Sequence, residues 1–137
     1  MRIGRKAASI ALALGLGAGG VLGTAAPAAA ATYGGECGSG YGVVNSAPIG
    51  SLGTVFLTYN NSNGNNCAVA KRNSAGSAVL IEVGLSIYPE GNHWDAYEGD
   101  YFTSYAGPVY LNAAGRCVSW MGRISGTEGG DRGTNCG

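Results

Sequence analysis

Charged residues are scarce in this chain, and that scarcity excludes several classes of partner. Only 12% of the 137 residues are charged, and a single histidine, His93, is present. Three of the eight basic residues lie within the first six positions, so five basic and eight acidic residues follow them, a net charge of −3. Proteins bind nucleic acid largely through clustered basic residues, which neutralise phosphates and release their counterions, and they bind anionic membranes through polybasic patches. The basic residues of this weakly acidic chain are scattered and form no such cluster. We therefore expect no nucleic-acid partner and no membrane partner.

Motifs for catalysis and metal binding are also missing. No Gly-x-Ser-x-Gly nucleophile elbow accompanies His93, and the four cysteines form no close CxxC pair of the kind that binds zinc. A small hydrolase would need a pocket around His93 and Asp95, and a protease inhibitor would need a rigid protruding loop. These are the less favoured alternatives. We expect no enzyme activity, no cofactor and no metal site.

The one long apolar run lies at the N-terminus. Basic residues precede a run rich in Ala, Leu and Gly from Ala7 to about Leu22, and small residues follow at Ala25–Ala30. This order is typical of a secretory signal peptide, with cleavage after Ala29, Ala30 or Ala31. An uncleaved membrane anchor is the alternative, which the shortness of the run and its five glycines disfavour. Residues 1–31 are thus predicted to be a leader, and residues 32–137 a single secreted domain.

All four cysteines follow the predicted leader, at Cys37, Cys67, Cys117 and Cys136. An even number of cysteines in an exported chain predicts two disulfides. Three pairings are possible. We favour Cys37 with Cys67 and Cys117 with Cys136, because each pair closes a moderate loop and ties a fray-prone terminus to a predicted strand.

The remaining sequence is patterned for strands. Apolar residues occupy every second position from Val79 to Ile87, which predicts a half-buried strand because a helix would need apolar residues at i, i+3 and i+4. Residues 54–59 and 67–72 predict a hairpin around the polar loop Asn60–Asn66, in which we find no pattern of ligand binding. Six to eight short strands separated by Gly and Pro predict an all-β fold, a small antiparallel β-sandwich or barrel stapled by disulfides.

Three further local predictions concern the ends of the domain and its most densely patterned stretch. Tyr41–Asn45 predicts a short first strand, with residues 46–53 as a connection. Val109–Leu111 and Cys117–Trp120 predict a second hairpin around the turn residues 112–115, and Pro108 marks an edge or the start of a strand because it lacks an N–H. Residues 98–100 predict a turn, and residues 124–137 an irregular tail.

Two groups of side chains are candidates for ligand binding. Most tyrosines suit half-buried strand positions, but exposed aromatics in a secreted sandwich would form a surface for a polysaccharide or a protein partner. The candidates for that surface are Trp94, Tyr97, Tyr101, Tyr105 and Tyr110. The second group is a charged cluster that suits a calcium site, a sugar site or merely a solvated turn. Its members are Glu90, His93, Asp95, Glu98 and Asp100.

Four motifs occur in a characteristic order: GTVFLTYNNSNGNNCAV at 53–69, YAGPVY at 105–110, GRCVSW at 115–120 and NCG at 135–137. This ordered set resembles the spore-associated protein A family of small secreted proteins from filamentous actinobacteria, and related segments resemble accessory domains of secreted enzymes from those bacteria. The resemblance implies an exported protein found with spores or at the cell exterior. Together with the missing catalytic motifs, it leads us to expect a structural or binding protein without catalysis, whose partners are spore-coat components, cell-wall components or polysaccharide. A carbohydrate-binding module is the alternative.

Overall fold

The structure, a computed structural model, describes residues 29–137 and contains eight β-strands and no helix in that range. The predicted signal peptide lies outside the described residues, apart from its last three. Within residues 29–137, no helical segment has the length and hydropathy needed to cross a bilayer. The strands are β1 (Tyr41–Ile49), β2 (Gly53–Asn60), β3 (Asn65–Arg72), β4 (Val79–Ile87), β5 (Ala96–Phe102), β6 (Tyr105–Asn112), β7 (Val118–Ile124) and β8 (Thr127–Thr134).

The strands form two four-stranded antiparallel sheets that pack face to face. The first sheet has the order β1-β2-β3-β6, and the second has the order β5-β4-β7-β8. The predicted all-β fold is therefore confirmed, with eight strands. Because successive side chains of a strand point to opposite faces, each sheet has one inner face toward the other sheet and one outer face.

The core lies between the two inner faces. Every second residue of β4 from Val79 to Ile87 contributes to it, as the alternation predicts. Trp120 of β7 is 2% exposed, and its indole N–H donates to the hydroxyl of Thr134 on β8 at 2.8 Å, which satisfies its buried polar atom. The fully buried apolar residues in this layer include Ile49, Val55, Leu57, Ile81, Val83, Leu85 and Val118.

Both disulfides have the predicted pairing, Cys37 with Cys67 and Cys117 with Cys136. The first holds residues 31–40, here called the N-terminal strap, against the outer face of the first sheet. The second ties the loop before β7 to the residues after β8. Each disulfide thus joins a segment near one end of the described chain to the sandwich, which is the role expected from the sequence.

The N-terminal strap covers apolar residues on the outer face of the first sheet. The ring of Tyr33 lies 6.0 Å from that of Phe56, and Cys37 packs with Cys67 and Val69 in a second, smaller buried cluster. This outer face is consequently closed to solvent over its centre.

Two other local predictions agree with the structure. β2 and β3 form the predicted hairpin, pairing from Gly53 with Arg72 to Tyr59 with Asn66. Pro108 lies in β6, an edge strand, at an irregularity where two residues of β6 stand opposite Val69 alone. The missing N–H of Pro108 therefore interrupts no central ladder.

The predicted second hairpin is wrong. β6 belongs to the first sheet and β7 to the second, so residues 113–117 carry the chain across the end of the sandwich instead of turning it back on its neighbour. The turn chemistry at these residues is real, since the Arg116 N–H donates to the Ala113 carbonyl at 2.9 Å. A turn signal does not specify which strand the chain pairs with next.

Three boundaries also differ from the sequence prediction. Thr127–Thr134, predicted as part of an irregular tail, is β8 and pairs with β7 through a tight turn at Ser125 and Gly126. β1 extends to Ile49, so the connection is shorter than predicted, and β5 runs through the predicted turn at residues 98–100. Each of these segments is poor in strand-favouring residues and forms a strand because a neighbouring strand supplies its hydrogen bonds.

Candidate ligand-binding surface

The outer face of the second sheet presents exposed aromatic rings. Tyr97 and Tyr101 project from this face of β5 and are 51% and 67% exposed. They are four residues apart on an extended strand, about 13 Å between α-carbons. The ring of Tyr97 lies across Gly99, where a β-carbon would collide with its hydroxyl and Cζ. The absence of a side chain at Gly99 therefore allows the Tyr97 ring to lie flat on the sheet.

Trp94 lies on the same outer face, over the next strand. A β-carbon at Gly84 of β4 would lie 2.6 Å from Trp94 Cδ2, so the indole rests directly on the backbone of that glycine. Gly84 stands opposite Tyr97 in the β4–β5 register, which places Trp94 beside the tyrosine. Trp94, Tyr97 and Tyr101 are called the aromatic platform below.

A cleft of about 320 Å³ adjoins Trp94 on the side of β8. Met121, Gly130, Asp131 and Arg132 line it together with the indole. The Arg132 guanidinium lies 5.8 Å from the centre of the Trp94 ring, within range of a cation–π contact, and it also forms an ion pair with Glu90. The cleft thus combines an aromatic wall with charged hydrogen-bonding groups.

A row of polar side chains crosses all four strands of this face and fixes the Tyr97 ring. The Tyr97 hydroxyl donates to Glu82 Oε1 at 2.8 Å, and Arg123 donates to the same oxygen at 3.0 Å and to Glu128 at 2.7 Å. The hydrogen bond to the Glu82 carboxylate raises the pKa of Tyr97 above its usual value, and burial and the Glu82 charge act in the same direction. The hydrogen bond to Glu128 contributes most to raising the pKa of Arg123. The Tyr97 ring of the platform is therefore held in place before any ligand binds.

The predicted charged cluster is not brought together as one site. Glu90 is largely buried, pairs with Arg132 and accepts from the Ser119 hydroxyl at 2.8 Å. Glu98 instead accepts from the Gly107 N–H on β6 at 2.6 Å. The remaining three carry separate local contacts: Asp95 accepts from the Ile87 N–H, Asp100 accepts from the Tyr101 N–H, and His93 faces Asn92.

No metal-binding group follows from this arrangement. Within residues 29–137, no three His, Cys, Asp or Glu side chains are grouped so that they could hold a metal ion. The carboxylates of the cluster are used instead to satisfy backbone N–H groups or to balance Arg132. In this structure these carboxylates therefore stabilise strands and loops through hydrogen bonds and one ion pair.

Tyr105 and Tyr110, the other two candidate aromatics, lie on the outer face of the first sheet. They stand opposite Lys71 and Cys67 in the β3–β6 register. Tyr110 contacts the N-terminal strap, because its hydroxyl donates to the Cys37 carbonyl at 2.9 Å and its ring meets Tyr41 edge-on at 5.6 Å. Burial raises the pKa of Tyr110. The five predicted aromatics are thus divided between opposite faces, three on one and two on the other.

Asp131 and Arg132 lie near the platform but were not predicted from the sequence. Both belong to β8, which was predicted to be irregular because four of the eleven residues from 127 to 137 are glycine. The alternation that marks other strands is not visible there. Only the pairing with β7 brings these side chains to the cleft.

Comparison with known proteins shows the family to which the chain is related. The chain is 49% identical over 116 residues to Spore-associated protein A from Streptomyces coelicolor, an alignment that covers 84% of this chain and 73% of the relative. No family model matches the chain, and no solved structure matches it.

Proposed function

Since the chain belongs to the spore-associated protein A family, we propose that it is itself an exported, spore-associated protein, and that it binds surface polysaccharide through the aromatic platform. The observation that supports polysaccharide binding is the exposure of Tyr97 and Tyr101, 51% and 67%, on the face where Trp94 also lies against the sheet. Sugar rings have apolar faces that stack on aromatic rings, and their hydroxyls bond to charged side chains at the edge.

The size of the platform favours a polymer over a single sugar. Tyr97 and Tyr101 are separated by about 13 Å along β5, and the cleft beside Trp94 continues the surface toward β8. A ligand that contacts both tyrosines and the cleft must extend over several sugar units. Spore and cell walls present such chains in an extended, insoluble form, so a flat aromatic surface suits them.

We further propose that the protein has no catalytic activity. Among the described residues, the side-chain partner of the His93 ring is Asn92, at 3.1 Å, and not a carboxylate. Glu82 and Glu128, two carboxylates on the face of the platform, both accept hydrogen bonds from Arg123. A general acid or base would instead need a carboxyl group free to reach the reacting atom of a bound substrate.

The test compares retention on insoluble polysaccharide. Chitin, cellulose and purified spore walls are incubated with the wild-type protein and with the double variant Tyr97→Ala, Tyr101→Ala. We expect retention of the wild type on at least one polymer and a loss of about tenfold or more in the variant, because truncating a central interface aromatic costs about 2 kcal/mol.

Tyr105→Ala is the matched control, since Tyr105 is also an exposed tyrosine but lies on the opposite face. It should bind like the wild type. Equal retention of the double variant, or absence of the folded wild type from every polymer, would refute polysaccharide binding by the platform.

A further inference from the structure

A second pocket lies at one end of the sandwich, away from the platform. It has a volume of about 230 Å³, and its walls come from β1, from the β2–β3 hairpin, from the loop after β6 and from the residues after β8. The side chains that define it are Val44, Tyr59, Asn61, Asn66, Ala113 and Asn135. We call it the end pocket.

Asn66 is a buried polar side chain with an unused acceptor. It is 2% exposed and lies on the inner side of β3, in the same alternation as Ala68 and Ala70 of the core. Its Nδ2 donates to the Thr58 carbonyl at 2.9 Å, while no donor among residues 29–137 bonds to its Oδ1. Buried side-chain oxygens almost always accept a hydrogen bond. An unpaired one on the wall of a pocket is an acceptor that the donor of a bound ligand can reach.

The walls of the end pocket are fixed by contacts that do not involve Asn66. The Ala113 N–H donates to the Gly64 carbonyl at 3.3 Å, which joins the loop after β6 to the β2–β3 hairpin. The Asn45 amide donates to Asn135 Oδ1 at 3.2 Å, which joins β1 to the residues after β8, and the disulfide Cys117–Cys136 joins the loop after β6 to those same residues. A pocket held in this way keeps its shape before binding, which lowers the entropic cost of binding.

The side chains of the lining favour a ligand with a hydrogen-bond donor and a small apolar group. No Lys, Arg, His, Asp or Glu side chain lines the pocket. Val44 and Ala113 contribute apolar side chains to the lining, and Tyr59 and Asn61 contribute side chains that carry polar atoms. An acetamido group fits this lining, because its N–H would donate to Asn66 Oδ1 while its methyl group contacts the apolar wall.

We propose that the end pocket binds the acetamido group of a single N-acetylated sugar unit. The volume is below the roughly 300–1,000 Å³ of pockets that enclose drug-sized ligands, so it admits one sugar ring or a chain terminus. The proposal does not rest on polysaccharide binding by the platform, since the two sites share no residue.

The experiment is a titration of the ¹⁵N-labelled protein, followed by amide chemical shifts. Methyl N-acetyl-β-D-glucosaminide and methyl β-D-glucoside, which differ only in the acetamido group, are each added up to tens of millimolar. We expect the first sugar to shift the backbone amides of Asn61 and Ala113 and the side-chain amide of Asn66, with an affinity about tenfold higher than that of the second.

Two variants test the assignment. Asn66→Leu removes the acceptor and should abolish the shifts, but it also loses the bond to Thr58. Val44→Trp therefore serves as a second variant, since Val44 is 46% exposed and a larger side chain there blocks the entrance without disturbing the core. The variant Tyr97→Ala, Tyr101→Ala should bind the sugar like the wild type.

Three results would overturn the proposal. The first is the absence of shifts with the acetylated sugar, and the second is equal affinity for both sugars. The third is a set of shifts confined to Tyr97, Tyr101 and their neighbours. Loss of binding in Val44→Trp together with selectivity for the acetylated sugar would support it. Failure at the end pocket leaves retention on polymers by the platform unaffected, so the two proposals are tested separately.

Discussion

Two glycines determine how the aromatic residues of the platform lie. At Gly84 and Gly99 the sheet has no side chain on its outer face, and the rings of Trp94 and Tyr97 occupy the space that a β-carbon would need. The hydrogen bond from Tyr97 to Glu82 then fixes the rotation of the ring. The positions of Trp94 and Tyr97, which are proposed to contact the ligand, thus depend on Gly84, Gly99 and Glu82, which are not.

The substitution Gly84→Ala tests this arrangement. The new methyl group would lie 2.6 Å from Trp94 Cδ2, so the indole must move away from the sheet. We expect Trp94 to become more accessible to acrylamide quenching and the free energy of unfolding to fall by about 1–3 kcal/mol, as in other overpacked sites. Fluorescence quenching and urea unfolding measure the two effects, and Trp94→Phe reports the signal of Trp120 alone.

Gly91→Ala is the control for this substitution. A β-carbon there has no neighbour within 4 Å, so neither quenching nor stability should change. If Gly84→Ala matches the wild type in quenching, the indole does not rest on Gly84.

At this scale the sequence predicted the type of candidate side chain better than its position. Trp94, Tyr97 and Tyr101 were identified because aromatics are easily recognised, and they share a face. Tyr110 was grouped with them on the same grounds, yet its hydroxyl bonds to the Cys37 carbonyl of the N-terminal strap. The residue type gives the chemistry of the Tyr110 side chain. Its hydrogen-bond partner lies 73 residues away in sequence, and only the packed fold brings the two together.

Among the elements, the N-terminal strap is held by one partly buried ion pair as well as by its disulfide. Glu36 Oε2 lies 2.6 Å from Lys71 Nζ, and the Gly34 N–H donates to Glu36 Oε1 at 2.8 Å. Burial of Glu36 tends to raise its pKa, but the hydrogen bonds from Lys71, Gly34 and the Glu36 N–H outweigh it, so the pKa is lowered from 4.5. The ionised carboxylate therefore stabilises the folded strap.

We predict a stability difference between the wild type and Glu36→Gln that depends on pH. Because the folded-state pKa is lowered, the stabilisation is present above the unfolded value near 4.5 and is lost as the pH falls through the folded value. The variant should lose about 1–2 kcal/mol at pH 7 and progressively less below pH 4.5, measured by urea unfolding at each pH.

Glu128→Gln is the comparison for Glu36→Gln. Glu128 also pairs with a basic residue, Arg123, but its side chain is 46% exposed, and exposed ion pairs contribute little to stability. A pH-independent difference between the wild type and Glu36→Gln would contradict the role given to the carboxylate.

Elements with strong local patterns were predicted well, and elements formed by their partners were not. β4 and the β2–β3 hairpin were predicted from alternation and from a turn rich in Asn and Gly. β8 is rich in glycine and becomes a strand because β7 supplies its hydrogen bonds. Residues 113–117 connect two strands of different sheets and do not form a hairpin. Whether a chain turns back on its neighbour or crosses to the other sheet depends on which strand is available for pairing, and a local sequence pattern does not predict this.

For the whole molecule, the disulfides join the two ends of the described chain to a small sandwich. The Cys37–Cys67 pair is separated by 30 residues and the Cys117–Cys136 pair by 19. Loops of this length correspond to roughly 3–4 kcal/mol each in the chain-entropy treatment. Each disulfide is thus a large part of the stability expected for a small domain.

We expect each pair of Cys→Ser substitutions to lower the melting temperature by roughly 10–20 °C. The Cys37→Ser, Cys67→Ser protein should expose the strap to proteolysis, and the Cys117→Ser, Cys136→Ser protein should expose the residues after β8. Calorimetry and limited proteolysis measure both effects. An unchanged melting temperature in reductant would contradict the prediction for both disulfides.

The N-terminal strap also makes the two broad faces of the molecule unequal. One face is covered by a segment of the chain itself, while the other leaves its aromatic rings open to solvent. A molecule bound to a wall through the open face turns the strap, with Glu36 and Lys71, toward the surroundings. A layer of molecules bound in this way would therefore be oriented, with the platform hidden and the outward side the same for every copy.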